Sequence, residues 1–447
     1  MPQATLHDDA RHLSAGTKEV FALVAGLPDD SAIASGPKAA SVTSPRLRSD
    51  TRLLVEVVRQ AALRNFRVEP LHNVRQAPLT MRTAKASVLE AFNAPLRLHT
   101  YEVPSPVEPG AVLVRTEMAG ICGTDVHLWQ GQLPIKLPVI LGHETVGHIA
   151  ELGAGVTQDW SGQPLAVGDR VTWNSAVSCG QCYYCAVKKQ PTRCAQRRAY
   201  GIGYPCDCAP HFLGGYAEFH YLRPRTTIFK LPADLPTESV IGAGCALITA
   251  IHGIERTGIA WQDNVVVQGA GPVGIAALAV AKSAGAGKVI VIGAPKHRLE
   301  MALRFGADAV IDLDEVREPA ARLAMVRELT GGYGADVVLE CVGHPSAVVE
   351  GMELCRDGGK YLVLGHYCDA GPVAFNPHVI TRKQLSVFGS WSSEPRHLQA
   401  AIEFLRRHQR EFPFHEMVTH RFTIEQADEA LRTTAKWQSA KSVIVPG

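Results

Sequence analysis

Residues 264–284 read N-V-V-V-Q-G-A-G-P-V-G-I-A-A-L-A-V-A-K-S-A: an apolar run, a glycine turn and a helical run of small apolar residues in direct succession. A bare G-x-G-x-x-G carries little weight. A strand before it and a helix after it supply the context that a dinucleotide-binding turn requires. Gly269 permits the tight turn, Gly271 lets the backbone approach a pyrophosphate, and Gly274 lets the helix pack closely on the strand. Pro272 and Val273 open the helix, whose N-terminus then faces the phosphates. Strand and helix patterns keep alternating downstream, with apolar runs at 289–292, 308–312, 336–340, 361–365 and 385–389. With 265–267 these make six strands, enough for an α/β doubly wound parallel sheet.

A fold of this kind ends its second strand in an Asp or Glu that holds the ribose 2′-hydroxyl. Here that position is Gly293, followed by A-P-K-H-R. Without the carboxylate nothing repels a 2′-phosphate, and Lys296, His297 and Arg298 offer it positive charge. The alternative is that these three form a solvated helix start and a smaller group binds NAD. NAD and NADP both stay open, with the basic run inclining towards NADP.

Upstream of the glycine turn the pattern changes to strands and turns. A-S-V-L-E, L-R-L-H-T-Y-E-V and A-V-L-V-R-T-E-M alternate or run apolar between P-S-P and E-P-G, and 146–155, 167–173 and 214–222 read as further strands. This predicts an antiparallel or barrel-like β domain. A loop-rich insert at 120–144 carries G-I-C-G-T-D-V-H and G-H-E, which place Cys122, Thr124, Asp125, His127, His143 and Glu144 in one short window. A thiolate and an imidazole suit zinc. Two ligands do not make a site, and a buried free Cys beside a core His reads equally well in isolation. Cys245, in a predicted helix over 239–254, is a candidate third ligand and equally a plain core residue. The run C-G-Q-C-Y-Y-C-A-V-K-K-Q-P-T-R-C is more specific. Cys179, Cys182, Cys185 and Cys194 can close a tetrahedron around a structural zinc, the alternative being two disulfides or free thiols. Cys206 and Cys208 lie outside this spacing and are assigned no metal.

Length and composition set the remaining bounds. At 447 residues the chain is too long for one ordinary core, and 46% apolar with 20% charged residues is an ordinary globular balance. Lys+Arg 45 against Asp+Glu 43 leaves no footprint for nucleic acid. No apolar run approaches the roughly 20 residues of a membrane span, and M-P-Q-A-T-L-H-D-D lacks the pattern of a secretory signal. Eleven cysteines, clustered rather than spread, point to metal in a reducing, cytoplasmic compartment. Residues 1–80 carry no chemistry and read as a poorly ordered extension with one amphipathic helix at 51–66.

Four features now stand in order: C-G-T-D-V-H with G-H-E, the four-Cys lobe, a later Cys, and G-A-G-P-V-G. Together they resemble the zinc-dependent alcohol dehydrogenases of the medium-chain dehydrogenase/reductase superfamily, over about residues 81–447. The resemblance implies a β-rich GroES-like catalytic domain at 81–247 and 389–447, with its zinc lobe at 179–194, and a Rossmann nucleotide domain at 248–388. It implies two zinc ions per chain, a catalytic one on Cys122, His143 and Cys245 and a structural one on the four-Cys lobe. Asp125 then braces the zinc His and Glu144 lies behind the metal. Thr124 takes the substrate proton, and His127 passes it to solvent by way of the cofactor ribose. Val342 and Gly365 fall near the nicotinamide side, with Arg298 and Gly293 on the adenosine side. The implied reaction interconverts a small alcohol and its aldehyde or ketone, with a homodimer or homotetramer expected. Trp129 and Ser175 are candidate pocket residues. Two rivals are a zinc-independent quinone or enoyl reductase of the same superfamily and a non-catalytic NAD(P)-binding protein. The Cys–His–Cys set argues against the first, and the Thr124–His127 relay against the second.

Overall fold

The computed structural model describes residues 82–447; the extension 1–80 and its expected helix at 51–66 lie outside the described residues. Ten strands come first: β1 (Thr83–Leu89), β2 (Arg97–Glu102), β3 (Val112–Gly120), β4 (Val139–Ile140), β5 (Glu144–Leu152), β6 (Arg170–Trp173), β7 (Ala176–Val177), β8 (Arg198–Ala199), β9 (Phe219–Leu222) and β10 (Ile228–Lys230). Six more follow the glycine-turn pattern: β11 (Asn264–Gln268), β12 (Lys288–Gly293), β13 (Ala309–Asp312), β14 (Ala335–Glu340), β15 (Cys355–Val363) and β16 (Ser386–Gly389). The chain then returns with β17 (Val418–Phe422) and β18 (Lys441–Ile444).

The second set forms one parallel sheet in the order β13-β12-β11-β14-β15-β16. All six apolar runs become strands of it. Their centres are buried on both faces, Val265, Val266, Val267 and 289–291 being fully so, because helices cover the sheet from either side. The helix Pro272–Ser283 leaves β11 through the glycine turn. A Cβ added at Gly274 would sit 1.8 Å from the Gly269 carbonyl oxygen, so this closeness of helix and turn admits only glycine.

The first set builds a seven-stranded sheet in the order β10-β6-β5-β3-β18-β17, with β9 also on β3, beside a small sheet β2-β1-β4. The predicted strands at 146–155, 167–173 and 214–222 are present but shorter, as β5, β6 and β9. Register explains the window at 120–144. β3 and β5 are antiparallel with Gly120 opposite Glu144, so Cys122 just past one strand and His143 just before the other meet at one edge. β18 pairs the other side of β3, with Val443 opposite Gly120. The window is less loop-like than its sequence suggests: Gly123–Trp129 forms a helix, too short for a 3.6-residue periodicity to show.

The predicted helix at 239–254 spans Thr237–Thr257 but breaks at Gly244, whose φ of 46° and ψ of −146° are not helical. It is also long and apolar enough to cross a membrane by length and composition, which corrects the expectation that no such run exists. Two-thirds of its apolar window is buried, and it packs as a core helix on the Pro272–Ser283 helix and on Leu398, Ala401 and Ile402 of the Pro395–Arg407 helix.

Within the β-rich part, His220 is fully buried between Trp173 and Tyr200, with ring centroids at 4.7 and 5.0 Å, and neither ring nitrogen has a hydrogen-bond partner among the described residues. Burial pushes its pKa down to about 3. The unfolded chain binds a proton at this residue near pH 6.5 and the native chain does not, so stability falls as pH drops from about 6.5 towards 3. Between pH 7 and 5 the variant His220→Phe is expected to lose less stability than the parent, by up to about 1.4 kcal/mol per pH unit below 6.5. Urea unfolding midpoints at both pH values measure this, and equal losses in the two proteins would refute it.

Candidate active site

Asp125 organises the ligand window. Its carboxylate is fully buried. One oxygen accepts the Cys122 N–H at 2.8 Å, and the other accepts the Gly142 N–H at 3.3 Å and lies 3.3 Å from His143 Nδ1. The first of these bonds also caps the Gly123–Trp129 helix, with Cys122 at the N-cap. With Nδ1 turned to Asp125, the Nε2 face of His143 is free for a metal. Cys245 arrives from the broken helix, and its Sγ lies 3.3 Å from that of Cys122. One ligand atom from each of Cys122, His143, Glu144 and Cys245 lies within 4.8 Å of the others.

The thiols, the imidazole and the carboxylates of this cluster shift one another's protonation. The hydrogen bond from Cys245 pulls the Cys122 thiol well down, and the same bond pushes Cys245 up, so Cys122 loses the first proton of the pair. Burial works against a charged His143, yet the Asp125 carboxylate and the Cys122 thiol raise its pKa overall. Burial works against a charged Glu144 as well, but the charges of Lys441 and His143 hold it at about 2. Glu144 accepts the Cys245 N–H at 2.8 Å and a close ion pair from Lys441 Nζ. Gly244 explains the helix break: a Cβ there would lie 2.5 Å from Glu144 Oε1, and its positive φ frees the Cys245 amide to reach that oxygen. Two thiols and an imidazole with an open side match the donor set of a catalytic zinc. Glu144 is the outlier of the four, because Lys441 and a backbone amide already occupy its oxygens.

Cys179, Cys182, Cys185 and Cys194 form the second cluster, again within 4.8 Å. The Cys182 N–H donates to Cys179 Sγ and the Cys179 N–H to Cys194 Sγ, both at 3.3 Å. A backbone bond from Cys185 draws Cys182 down to about 6, while burial drives Cys185 up to about 12. All eleven cysteines are free, so no disulfide competes for these thiols. Four closed thiols leave no open position, which fits a structural zinc.

A cavity of about 230 Å³ joins the two halves of the site. Cys122, Thr124, His127, His143 and Cys245 line one side, and Gly271, Pro272 and Val273 the other. His127 Nδ1 is held closely by Gln132 Oε1. At the nucleotide end, Gly269 is anchored by its N–H to the Ile292 carbonyl at 2.7 Å. Gly293 has no room for the missing acid, since a Cβ there would lie 2.7 Å from that of Ala270. Arg298 reaches towards the turn. A Cβ on Gly271 would lie 3.8 Å from its Nη1, its Nη2 donates to the Ser439 carbonyl at 3.1 Å, and its buried Nε has no partner among the described residues. Lys296 and His297 point to solvent.

Ser175 lines the cavity as expected, but Trp129 does not. Its indole N–H is turned away to the Ala94 carbonyl at 2.7 Å and its ring packs under Arg432. Sequence reading missed four others. Tyr367 and Trp391 stack at 4.7 Å and line the cavity with Arg197. Glu340, fully buried, accepts N–H groups from Val342 at 2.7 Å, Gly343 at 2.6 Å and Gly365 at 3.0 Å, and so clamps both loops expected near the nicotinamide. Its one local signal is a charge at the end of the apolar run D-V-V-L-E.

Residues 108–233 match the family described as alcohol dehydrogenase GroES-like domain, and residues 272–407 the family described as zinc-binding dehydrogenase. A 5-exo-hydroxycamphor dehydrogenase of Pseudomonas putida is 36% identical over 375 residues, covering 81% of this chain and 99% of its own. The alcohol dehydrogenase of Thermotoga maritima superposes with a TM-score of 0.78 at 34% identity, over 82% of this chain and all of that one. A candidate zinc-binding dehydrogenase of Sinorhizobium meliloti, solved with NADP bound, gives 0.71 at 28% identity, over 82% of this chain and all of that one.

The Glu144–Lys441 pair is buried, with side-chain exposures of 2% and 1%. Lys441→Met strands the carboxylate and is expected to destabilise the fold by about 3–5 kcal/mol. The double variant with Glu144→Gln should recover most of that loss. Denaturant unfolding of the three proteins tests the pair, and a double variant as unstable as the single would contradict it.

Proposed function

This chain belongs to the zinc-dependent alcohol dehydrogenases of the medium-chain dehydrogenase/reductase superfamily, and on that premise we propose that Cys122, His143 and Cys245 hold its catalytic zinc and Cys179, Cys182, Cys185 and Cys194 a second, structural one. The enzyme interconverts an alcohol and its aldehyde or ketone with NAD(P). What carries the assignment of the site is the shared cavity: the thiol–imidazole–thiol cluster and the glycine turn face each other across about 230 Å³. Neither a metal-free reductase nor a binding module has a use for that pairing.

When bound, the zinc supplies Lewis acidity at the alcohol oxygen and the nicotinamide accepts the hydride. The chain does the rest. Thr124 Oγ1 takes the alcohol proton, and His127 on the same short helix is its exit, the ring held through Nδ1 by Gln132. Asp125 holds His143 in the tautomer that presents Nε2. Tyr367 and Trp391 form an apolar wall that narrows the cavity and excludes water. In this reading 81–247 with 389–447 carry the metals and substrate, and 248–388 carry the nucleotide. The cofactor is NADP: Gly293 removes the repelling acid and Arg298 places an unsatisfied guanidinium nitrogen beside the turn. β16 is one of the two edges of the nucleotide sheet, with Val387 exposed, and offers the contact for a homodimer or homotetramer. Free thiols clustered for metal belong in a reducing compartment, which makes the cytoplasm its place.

Metal content per chain, measured with NAD and NADP titrations on the same sample, tests this directly. Two zinc ions are expected. Cys245→Ala should lose one zinc and the activity while keeping its circular dichroism spectrum, and a variant that keeps both ions would place the third ligand elsewhere. Arg298→Met is expected to weaken NADPH about tenfold or more and NADH little, in line with roughly 1.4 kcal/mol or more for a charge-assisted contact. Equal weakening of both cofactors would overturn the NADP assignment.

A further inference from the structure

Among the described residues, one cation in the catalytic cavity has no anion. Arg197 follows the cysteine lobe and lines the same cavity as Cys122, His143 and Cys245. Its Nη2 donates to the Ser392 hydroxyl at 2.5 Å, and among the described residues no carboxylate pairs with it. The groups that act on it electrically are Tyr367, a second cation Arg193, and the lobe thiol Cys194. Burial draws its pKa below the usual arginine range. A charge withdrawn from water without a counter-charge is costly, and a binding site tolerates that cost when the ligand supplies the partner.

A second cavity, of about 670 Å³, adjoins the first through Leu364, Ser390 and Trp391. Lys188, Lys189, Arg193 and Arg256 line it, and among the described residues none has a carboxylate partner. Arg193 lies over the Trp391 ring, 5.6 Å from its centre, and so stands between the two cavities. The acid present, Glu394, is taken by Arg396 at 2.8 Å. The positive charge therefore runs from the outer cavity to Arg197 without being neutralised.

We propose that the alcohol this enzyme oxidises carries an anionic oxyacid group, a carboxylate or a phosphate monoester, which Arg197 grips while the reacting hydroxyl sits at the metal cluster. Guanidinium suits both groups because its fork donates two parallel N–H bonds. Lys188, Lys189, Arg193 and Arg256 draw the substrate inwards. The anionic group is a handle and is unchanged by the reaction, in which the carbinol carbon gives a hydride to NAD(P)+ and the hydroxyl releases a proton. The inference rests on the dehydrogenase reading above.

The holoenzyme is assayed with matched pairs: a hydroxy acid against its amide, and a polyol against its phosphate monoester. At low ionic strength kcat/KM should favour the charged member on the order of 100-fold, the scale of a buried charge pair. Arg197→Gln should shrink that ratio to a few-fold, mainly through KM, and leave NADPH affinity, read by fluorescence, at the parent value. The pair with the larger ratio identifies the group. Equal use of charged and neutral members by the parent overturns the inference. So does an Arg197→Gln variant that weakens NADPH and keeps the ratio, since the guanidinium would then serve the cofactor. Should that variant not fold, Arg197→Lys and inhibition of the parent by acetate and inorganic phosphate decide the matter. Inhibition competitive with a neutral alcohol and weaker in Arg197→Lys supports the grip, and its absence overturns it. Turnover without charge preference removes this inference alone, whereas no turnover on any alcohol or carbonyl removes the dehydrogenase reading with it.

Discussion

One buried carboxylate holds the catalytic end of this protein together. Glu144 begins β5, accepts the amide of Cys245 from the broken helix, and pairs with Lys441 on β18, 297 residues away. Each contact answers a separate physical demand. The lysine neutralises a charge that burial would otherwise expel. The amide is one that the Gly244 break has released from its helix. The result is that a strand from the start of the catalytic domain, the helix that leaves it and the strand that returns to it are fixed at one point. His143 is the immediate chain neighbour of Glu144, and Cys245 supplies the amide it holds, so the positions of both follow from it.

The nucleotide half was legible because its signals are local. Six apolar runs of strand length and a glycine turn in strand–helix context are properties of short stretches, and each run became a strand of one parallel sheet. The four-Cys cluster was legible for a related reason, since Cys179 to Cys194 is a local spacing. Cys122, His143 and Cys245 are far apart in sequence, and it was the resemblance to a known family that joined them.

What stayed hidden was relational. Lys441 begins an ordinary apolar strand and nothing near it in sequence points to Glu144. Glu340 reads as a polar strand end, yet its two oxygens organise three backbone amides on two loops. Tyr367 and Trp391 reach the cavity from segments with no motif at all, and Arg197 from just past the cysteine lobe, outside its spacing. Trp129 erred in the other direction: its place two residues after His127 suggested the pocket, but on a short helix that step carries it to the far side, against Ala94. The helix at Thr237–Thr257 shows the same limit. Its composition would serve a membrane as well as a core, and only the packing around it distinguishes the two.

The interleaving of the two halves also dictates when the enzyme can be assembled. β3 and β5 are synthesised early, but β18, which lies beside β3 and brings Lys441 to Glu144, is made only after the entire nucleotide sheet. On the ribosome the edge that carries Cys122 and His143 therefore waits, with the Ala119–Gly120 end of β3 unpaired on one side and Glu144 without its counter-charge, until a whole second domain has emerged. Full anchoring of the Cys122–His143–Cys245 cluster is in consequence a late event in the life of the chain. The nucleotide sheet, whose strands are consecutive, has no such dependence and can close first.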